Sequence, residues 1–315
     1  MPEKITVLDD DVKEYRSTTG LLSKLITVLA ILYVGLEVAA LQFVVIDLWV
    51  FMTLVMIFVM ILGFLTFPFT PKDRGKIRKL DWLFLIIGVA PCVYILLEME
   101  RLQWTYGSVV LPLDIFFSIL LMISLMELVR RAFGWAIPLT ILGFLAYAFF
   151  GNLLPPEYFG HTGLKIGNVI GFMLGPMAIF GMVMSAMVHI IFLFLIFSTF
   201  LQKSGAGDFF VNLAQSIAGR YRGGPAKVSV FSSSLFGMIS GSSVANVAVD
   251  GGITIPLMMK TGFKPEFAAA TEATASTGGQ IMPPVMGAGA FIMAELLNIS
   301  YGEVIIAAAI PAILY

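Results

Sequence analysis

Cysteine is nearly absent, histidine is scarce and charge is thin. The single cysteine, Cys92, excludes an intrachain disulfide framework and a cysteine metal cluster, and its setting in Gly-Val-Ala-Pro-Cys-Val-Tyr is that of an ordinary buried thiol. Two histidines, His161 and His189, lie far apart and leave no ligand set for zinc. Asp, Glu, Lys and Arg make up 12% of the 315 residues, about half of what a soluble domain carries. With 59% apolar residues beside so little charge, a water-soluble enzyme is excluded as the reading and the expected solvent is lipid. A net charge of -1 gives none of the basic footprint that a nucleic-acid binder needs.

What is present is a series of apolar runs long enough to cross about 30 Å of hydrocarbon. They are Leu21 to Gln42, Leu48 to Phe69, Trp82 to Leu97, Leu113 to Val129, Trp135 to Phe150 and Met182 to Leu201. The first has no early small-residue cleavage site and reads as a retained anchor. Basic residues divide sharply between the connections. Lys4, Lys13, Arg16 and Lys24 come first, Lys72, Arg74, Lys76, Arg78 and Lys79 follow the second run, and Arg130 and Arg131 follow the fourth. With Lys203, Arg220, Arg222, Lys227, Lys260 and Lys264 on the same side, only Arg101 and Lys165 of the 19 basic residues fall opposite. The positive-inside rule then places the N-terminus in the cytoplasm.

Val228 to Met259 carries basic residues at both ends and Ser, Gly and Asn in its middle, so a re-entrant helical hairpin fits it better than one long span. Irregular backbone at membrane depth survives only where protein or a wet cavity surrounds it. In Gly160 to Gly181, the spacing of Gly167, Gly171 and Gly175 predicts close helix packing, with a hinge as the other reading. Over Gly205 to Arg222, Phe209, Phe210, Leu213 and Ile217 share one helical face, and Asp208, Asn212 and Gln215 the other. That pattern suits a helix lying along the cytoplasmic surface, or equally a short soluble connector.

Ser232 to Pro284 is the most informative stretch. Ser232, Ser233 and Ser234 lead to Ser240-Gly241-Ser242-Ser243 with Asn246, which would end one helix and begin another at the hairpin tip. Ser276-Thr277-Gly278-Gly279-Gln280 leads into Ile281-Met282-Pro283-Pro284, a second break, because Gly-Gly weakens a helix and Pro removes backbone donors. Each break releases carbonyl oxygens, presents the negative end of one half-helix and starts the next with its positive end, expected at Val244 and at Pro284. Carbonyl, Ser, Thr and Asn oxygens suit a small hard cation such as sodium, and the positive ends suit a carboxylate. In the competing reading, small residues only let helices touch and polar side chains only bond between helices. Spacing alone does not say whether the two breaks are adjacent.

Two acidic residues lie within these apolar flanks, where carboxylates are costly enough to count as functional candidates. Asp250 follows Asn246 by one turn, and Glu272 precedes Ser276 by one turn. Either could ligate a cation or carry a proton. The plainer alternative puts Asp250 in a water-filled path and Glu272 near the interface, bonded to hydroxyls. His189 reads as a helix-packing histidine, with proton handling as its alternative, and His161 lies in a polar outer loop.

Three motifs, Ser204-Gly205-Ala206-Gly207-Asp208-Phe209-Phe210, Ala218-Gly219-Arg220-Tyr221-Arg222-Gly223-Gly224-Pro225-Ala226-Lys227 and Ser240-Gly241-Ser242-Ser243-Val244-Ala245-Asn246, resemble the large membrane subunit of the tripartite ATP-independent periplasmic (TRAP) transporters. Gly262-Phe263-Lys264-Pro265-Glu266-Phe267 and Ala275 to Pro284 strengthen the likeness. Residues 1–131 are similar in span count and order to the small subunit. The segment 132–160 would then be the joining helix and outer loop of a fused form. By the same likeness, 161–226 would hold scaffold helices and the surface helix, and 227–315 the first half of a transport domain: hairpin 227–259, broken helix 265–297 and a further helix from 303. The resemblance implies an all-α polytopic membrane protein of elevator type, sodium coupling, and a periplasmic binding protein that delivers a carboxylate-bearing solute in the bacterial inner membrane. It implies that Ser240, Gly241, Ser242, Ser243 and Asn246, with Ser276, Thr277, Gly278, Gly279, Gln280, Pro283 and Pro284, line a sodium and substrate site, with no cofactor other than sodium. Asp250 stands where the family commonly has a hydroxyl residue, which makes it a possible coupling carboxylate. Only one hairpin and one broken helix are found, so the second inverted repeat is incomplete. The last run, Val304 to Tyr315, is too short to span, and the chain is expected to stop inside a helix. Two rival classes are a non-transporting membrane scaffold and an intramembrane hydrolase using Ser242 with His189 as base, the latter without a Ser, His and acid grouping at suggestive spacing.

Overall fold

The structure, a computed structural model, describes Arg16 and residues 20–70, 73, 76–105, 109–155, 157 and 159–315. Lys4, Lys13, Lys72 and Arg74, four of the basic residues used for the topology, lie outside the described residues. The described chain is helical, with no strand among those residues. It divides into two compact units, Met1–Ser185 and Ala186–Tyr315.

In the first unit, α1 (Leu21–Gln42), α2 (Leu48–Thr66), α3 (Lys79–Leu97), the short α4 (Met99–Thr105), α5 (Pro112–Phe133), α6 (Ala136–Phe150), α7 (Ile166–Phe172) and the start of α8 (Met182–Ala186) follow in order. Asp47 caps α2 by accepting from the backbone N–H groups of Trp49 and Val50. Pro112 opens α5 at its first turn, where its missing N–H has no helical partner to lose. The core lies around α2, whose Met60 and Phe64 are wholly buried. Glycine brings the three helices close: a Cβ on Gly63 would lie 2.6 Å from Leu128 of α5, and one on Gly88 of α3 would lie 2.8 Å from the Met60 sulfur. Cys92 is buried with its thiol directed at the Gly88 carbonyl oxygen, as its sequence setting indicated.

Both ends of this bundle are held by ion pairs. At the end where α2 stops and α3 starts, Asp81 accepts from Arg16 at 2.8 Å and from Arg131 at 2.6 Å, and Glu127 bonds Arg130 and Arg131. The Arg131 guanidinium also lies over the rings of Phe64, Phe69 and Phe84. At the other end, Arg101 joins Asp114, Glu98 and the Tyr94 hydroxyl.

The glycine-rich stretch departs in part from expectation. Gly171 does permit a close approach, since a Cβ there would lie 2.5 Å from Val110, but helix α7 ends at Phe172 and Gly175 sits in the turns that follow. His161 packs on Gly151 and bonds the Tyr147 carbonyl oxygen and the Gly163 N–H.

The second unit contains the π-helical turn Met187–Ile191, which carries His189, then α9 (Phe192–Lys203), α10 (Ala206–Ala218), α11 (Gly224–Ser240), α12 (Ser243–Lys260), α13 (Pro265–Gly279), α14 (Ala288–Leu297) and α15 (Tyr301–Leu314). Helix α10 is amphipathic in an unexpected sense. Its inward face is the small-residue row Ala206, Gly207, Val211, Ala214 and Ala218, while Phe209, Leu213 and Ile217 are exposed.

Among the described residues, six helices or helix runs are long and apolar enough to cross a membrane, Leu21–Gln42, Leu48–Thr66, Lys79–Leu97, Pro112–Phe133, Ala136–Leu153 and Met182–Lys203. They coincide with the six runs read from the sequence, and the chain is a polytopic membrane protein.

Candidate functional site

The site is built from three helices, α11, α12 and α13, which pack on one another. Each turns a face of small and polar residues inward at helical spacing: Ser229, Ser232, Ser233, Gly237 and Ser240 on α11, Asn246, Asp250, Gly251 and Thr254 on α12, and Glu272, Ser276 and Gly279 on α13. Absence of side-chain bulk decides how closely they meet. A Cβ on Gly237 would lie 2.4 Å from the Cα of Gly279, so α11 and α13 cross in backbone contact. Gly237→Ala is expected to lose roughly 1–3 kcal/mol of stability by overpacking this crossing. Gly252→Ala, where nothing lies within 4 Å, should shift the melting temperature of the detergent-solubilised chain hardly at all.

Both helix breaks are present. Helix α11 stops at Ser240, Gly241 takes a left-handed conformation (φ 60°) that a side chain would strain, and Ser242 caps α12 by accepting from the Ala245 N–H. Helix α13 stops at Gly279, and residues 280–287 form an irregular connector before α14. Here one expectation is corrected. The positive end of the second half-helix lies at Gly287 and Ala288, not at Pro284, because Pro283 and Pro284 donate no N–H and Met286 adopts a positive φ, which holds the connector out of helix. The connector is closed by the Gly287 N–H on the Gln280 carbonyl oxygen at 2.7 Å, and the Tyr301 hydroxyl bonds the Pro284 and Val285 carbonyl oxygens.

The breaks are adjacent. The Val285 N–H donates to the Met238 carbonyl oxygen, Gln280 Nε2 donates to Ser243 Oγ at 3.1 Å, and a Cβ on Gly241 would lie 2.4 Å from the Met286 carbonyl oxygen. Asn246 donates to the Ser233 carbonyl oxygen at 2.8 Å and lies against Gly279. Ser240, Gly241, Ser243, Asn246, Gly279 and Gln280 are thus brought together. Thr277 is exposed and bonds its own helix, and a Cβ on Gly278 would meet the Tyr315 ring, so these two point elsewhere. Two buried oxygen atoms on either side of the hairpin tip, Ser240 Oγ and Asn246 Oδ1, have no hydrogen-bond partner among the described residues. Buried acceptors are normally satisfied, and neutral oxygens of this kind are the donor set that a small monovalent cation takes.

Below the breaks lies a group that the sequence signalled only in part. Glu272 is wholly buried and accepts from Ser229 at 2.7 Å, Ser233 at 3.1 Å, Ser276 at 3.1 Å and Thr254. Gly251 makes room for its stem, 3.2 Å from where a Cβ would be. The hydroxyl partners expected for Glu272 are therefore there, but its surroundings are interior. Asp250 is also wholly buried, so it is in no water-filled path. Ser276 serves Glu272 and not the breaks. Ser229 and Thr254 escaped notice in the sequence because a single hydroxyl in an apolar helix is common; their spacing from Ser233, Ser240 and Asn246 was the available signal. In the first unit, Glu37 was missed altogether. It is the one buried residue of α1, and a lone carboxylate within Leu25 to Leu41 was the sign of it.

Fold and site together define a polytopic helical membrane protein with a helical hairpin and an interrupted helix whose breaks meet. The profile of the family described as "Tripartite ATP-independent periplasmic transporter, DctM component" matches residues 120–315, more than half of the chain. The chain belongs to this family, whose members are transporter permeases and not enzymes, which removes the hydrolase reading of Ser242 and His189. Among curated relatives, the C4-dicarboxylate TRAP transporter large permease protein DctM of Vibrio cholerae is 34% identical over 38% of this chain and 26% of its own length. The isethionate TRAP transporter permease protein DctMQ of Oleidesulfovibrio alaskensis is 35% identical over 29% of this chain and 14% of its own. The ectoine TRAP transporter large permease protein TeaC of Halomonas elongata is 27% identical over 39% and 28%. The chain spans about a quarter or less of the length of these relatives. No solved structure matches.

Proposed function

We propose that the chain is the membrane permease part of a sodium-coupled secondary importer of an organic anion, working in the bacterial inner membrane with its N-terminus in the cytoplasm. A periplasmic binding protein delivers the solute, and α11 to α14 move with it as an elevator. The observation that carries this reading is the meeting of the two breaks. Four helix ends converge there, two negative and two positive, beside the partnerless oxygens of Ser240 and Asn246. Sodium would be held by those oxygens with freed carbonyl groups at the tips, and the N-termini at Ser243 and Ala288 would face a carboxylate. Ser242, Ser276, Thr277, Gly278, Pro283 and Pro284 complete the stretch on which the family reading places the site. The relatives' names span C4-dicarboxylates, isethionate and ectoine, which supports a small organic solute.

Sodium binding is testable on this chain alone. Sodium chloride should raise its melting temperature above that in equimolar potassium chloride, by an amount that grows with concentration as linkage requires. Ser240→Ala removes an oxygen that has no hydrogen-bond partner among the described residues, so it should leave the potassium value in place and abolish the sodium increment. Coupling is tested by uptake into proteoliposomes holding the full-length permease and its binding protein. Uptake indifferent to a sodium gradient would overturn it, and stable complex formation without uptake would favour the non-transporting scaffold.

A further inference from the structure

Asp250 has no place in the ion site at the breaks, and its surroundings constrain its charge. It is wholly buried, and neither carboxyl oxygen has a hydrogen-bond partner among the described residues. An isolated carboxylate held that way is costly, and such a group neutralises instead. The Ser232 hydroxyl of α11 donates to the Ser229 carbonyl oxygen at 3.3 Å.

Glu272 is the opposite case. Four hydroxyls, from Ser229, Ser233, Ser276 and Thr254, surround its oxygens, so its hydrogen-bonding capacity is filled where that of Asp250 is not. The other elements packed on α12 add no opposing charge. Helix α13 contributes Glu272, while its Glu266 is exposed. Helix α11 presents hydroxyls, its Lys227 lying over the Tyr221 ring. Helix α10 meets α12 through Gly207 against Val249, with Asp208 exposed. On α12 itself, Lys260 is in the last turn.

We propose that Asp250 is a proton-binding site of the hairpin, its carboxyl protonated at neutral pH. The hairpin then holds a proton two turns below the tip as well as the cation placed at the breaks. As a statement about coupling this rests on the transport reading above; as a statement about the proton it does not.

Infrared difference spectroscopy of the purified chain in lipid gives the test. Wild type minus Asp250→Asn should show the C=O stretch of a protonated carboxyl at neutral pH, shifted down in D2O, and Glu272→Gln should keep it. No such band in wild type, or a band kept in Asp250→Asn and lost in Glu272→Gln, overturns the proposal. Should Asp250→Asn fail to fold, a pH titration of wild type decides. The band should outlast the ordinary aspartate range near pH ~4, and its loss within that range overturns the assignment. Neither sodium nor solute enters this readout, so its failure leaves the transport reading standing, and failed transport leaves the band.

Discussion

Asp81→Ala should destabilise the first unit by about 3–5 kcal/mol, the cost of removing one partner from a buried ion pair. Asp81 is 2% exposed, and its two partners, Arg16 and Arg131, are 1% and 0% exposed at their side chains. Taking away the carboxylate leaves two guanidinium groups facing each other in the interior. Glu127 offsets only Arg131, through the bond it already makes. The measurement is thermal melting of the detergent-solubilised chain, where a fall of roughly 10 °C is expected. Asp81→Asn keeps the shape and one acceptor and should fall about half as far. A shift of a degree or less in Asp81→Ala would mean that water reaches the cluster.

Glu272→Ala is expected to cost about 3 kcal/mol or more, from a cavity where the stem passed Gly251 and from four hydroxyls deprived of their acceptor. Part of this is recoverable. Thr254 already lies 3.0 Å from the Asp250 carbonyl oxygen, and helix serines can turn to carbonyl groups one turn back. Glu272→Gln preserves volume but sets amide N–H groups against hydroxyl hydrogens, so an intermediate loss is expected. The second unit's melting transition reports both, and equal loss in the two variants would indicate that the negative charge, not the packing, holds the three helices together.

Much of this was legible in one dimension because the physics is local. A continuous apolar run such as Leu48 to Phe69 is a helix in lipid, since the helix satisfies every backbone group within the run itself and the alternative, a closed barrel, needs alternating strands, and the structure differs from the reading by a few residues at the ends. The breaks were legible for the same reason. Gly241 is followed by capping hydroxyls at Ser242 and Ser243, and Pro283-Pro284 removes two donors whatever surrounds them. The exact start of α14 was not, because the conformations of Met286 and Gly287 are set by contacts with Gln280, Gly241 and Tyr301. The inward face of α10 was not legible for a similar reason. The phenylalanines dominate its pattern, but Gly207 and the alanines allow the closest approach, and they face inward.

The sequence by itself determined that the chain crosses a membrane and where its helices are interrupted, since apolar length, proline and glycine act on the residues that carry them. Only the tertiary structure decided that the two interruptions touch, that Glu272 gathers hydroxyls from three helices and that Asp250 is left with none. Those outcomes depend on how closely Gly237 and Gly279 let two backbones approach, and an approach between residues some forty positions apart is set by packing in space, which no spacing along the chain encodes.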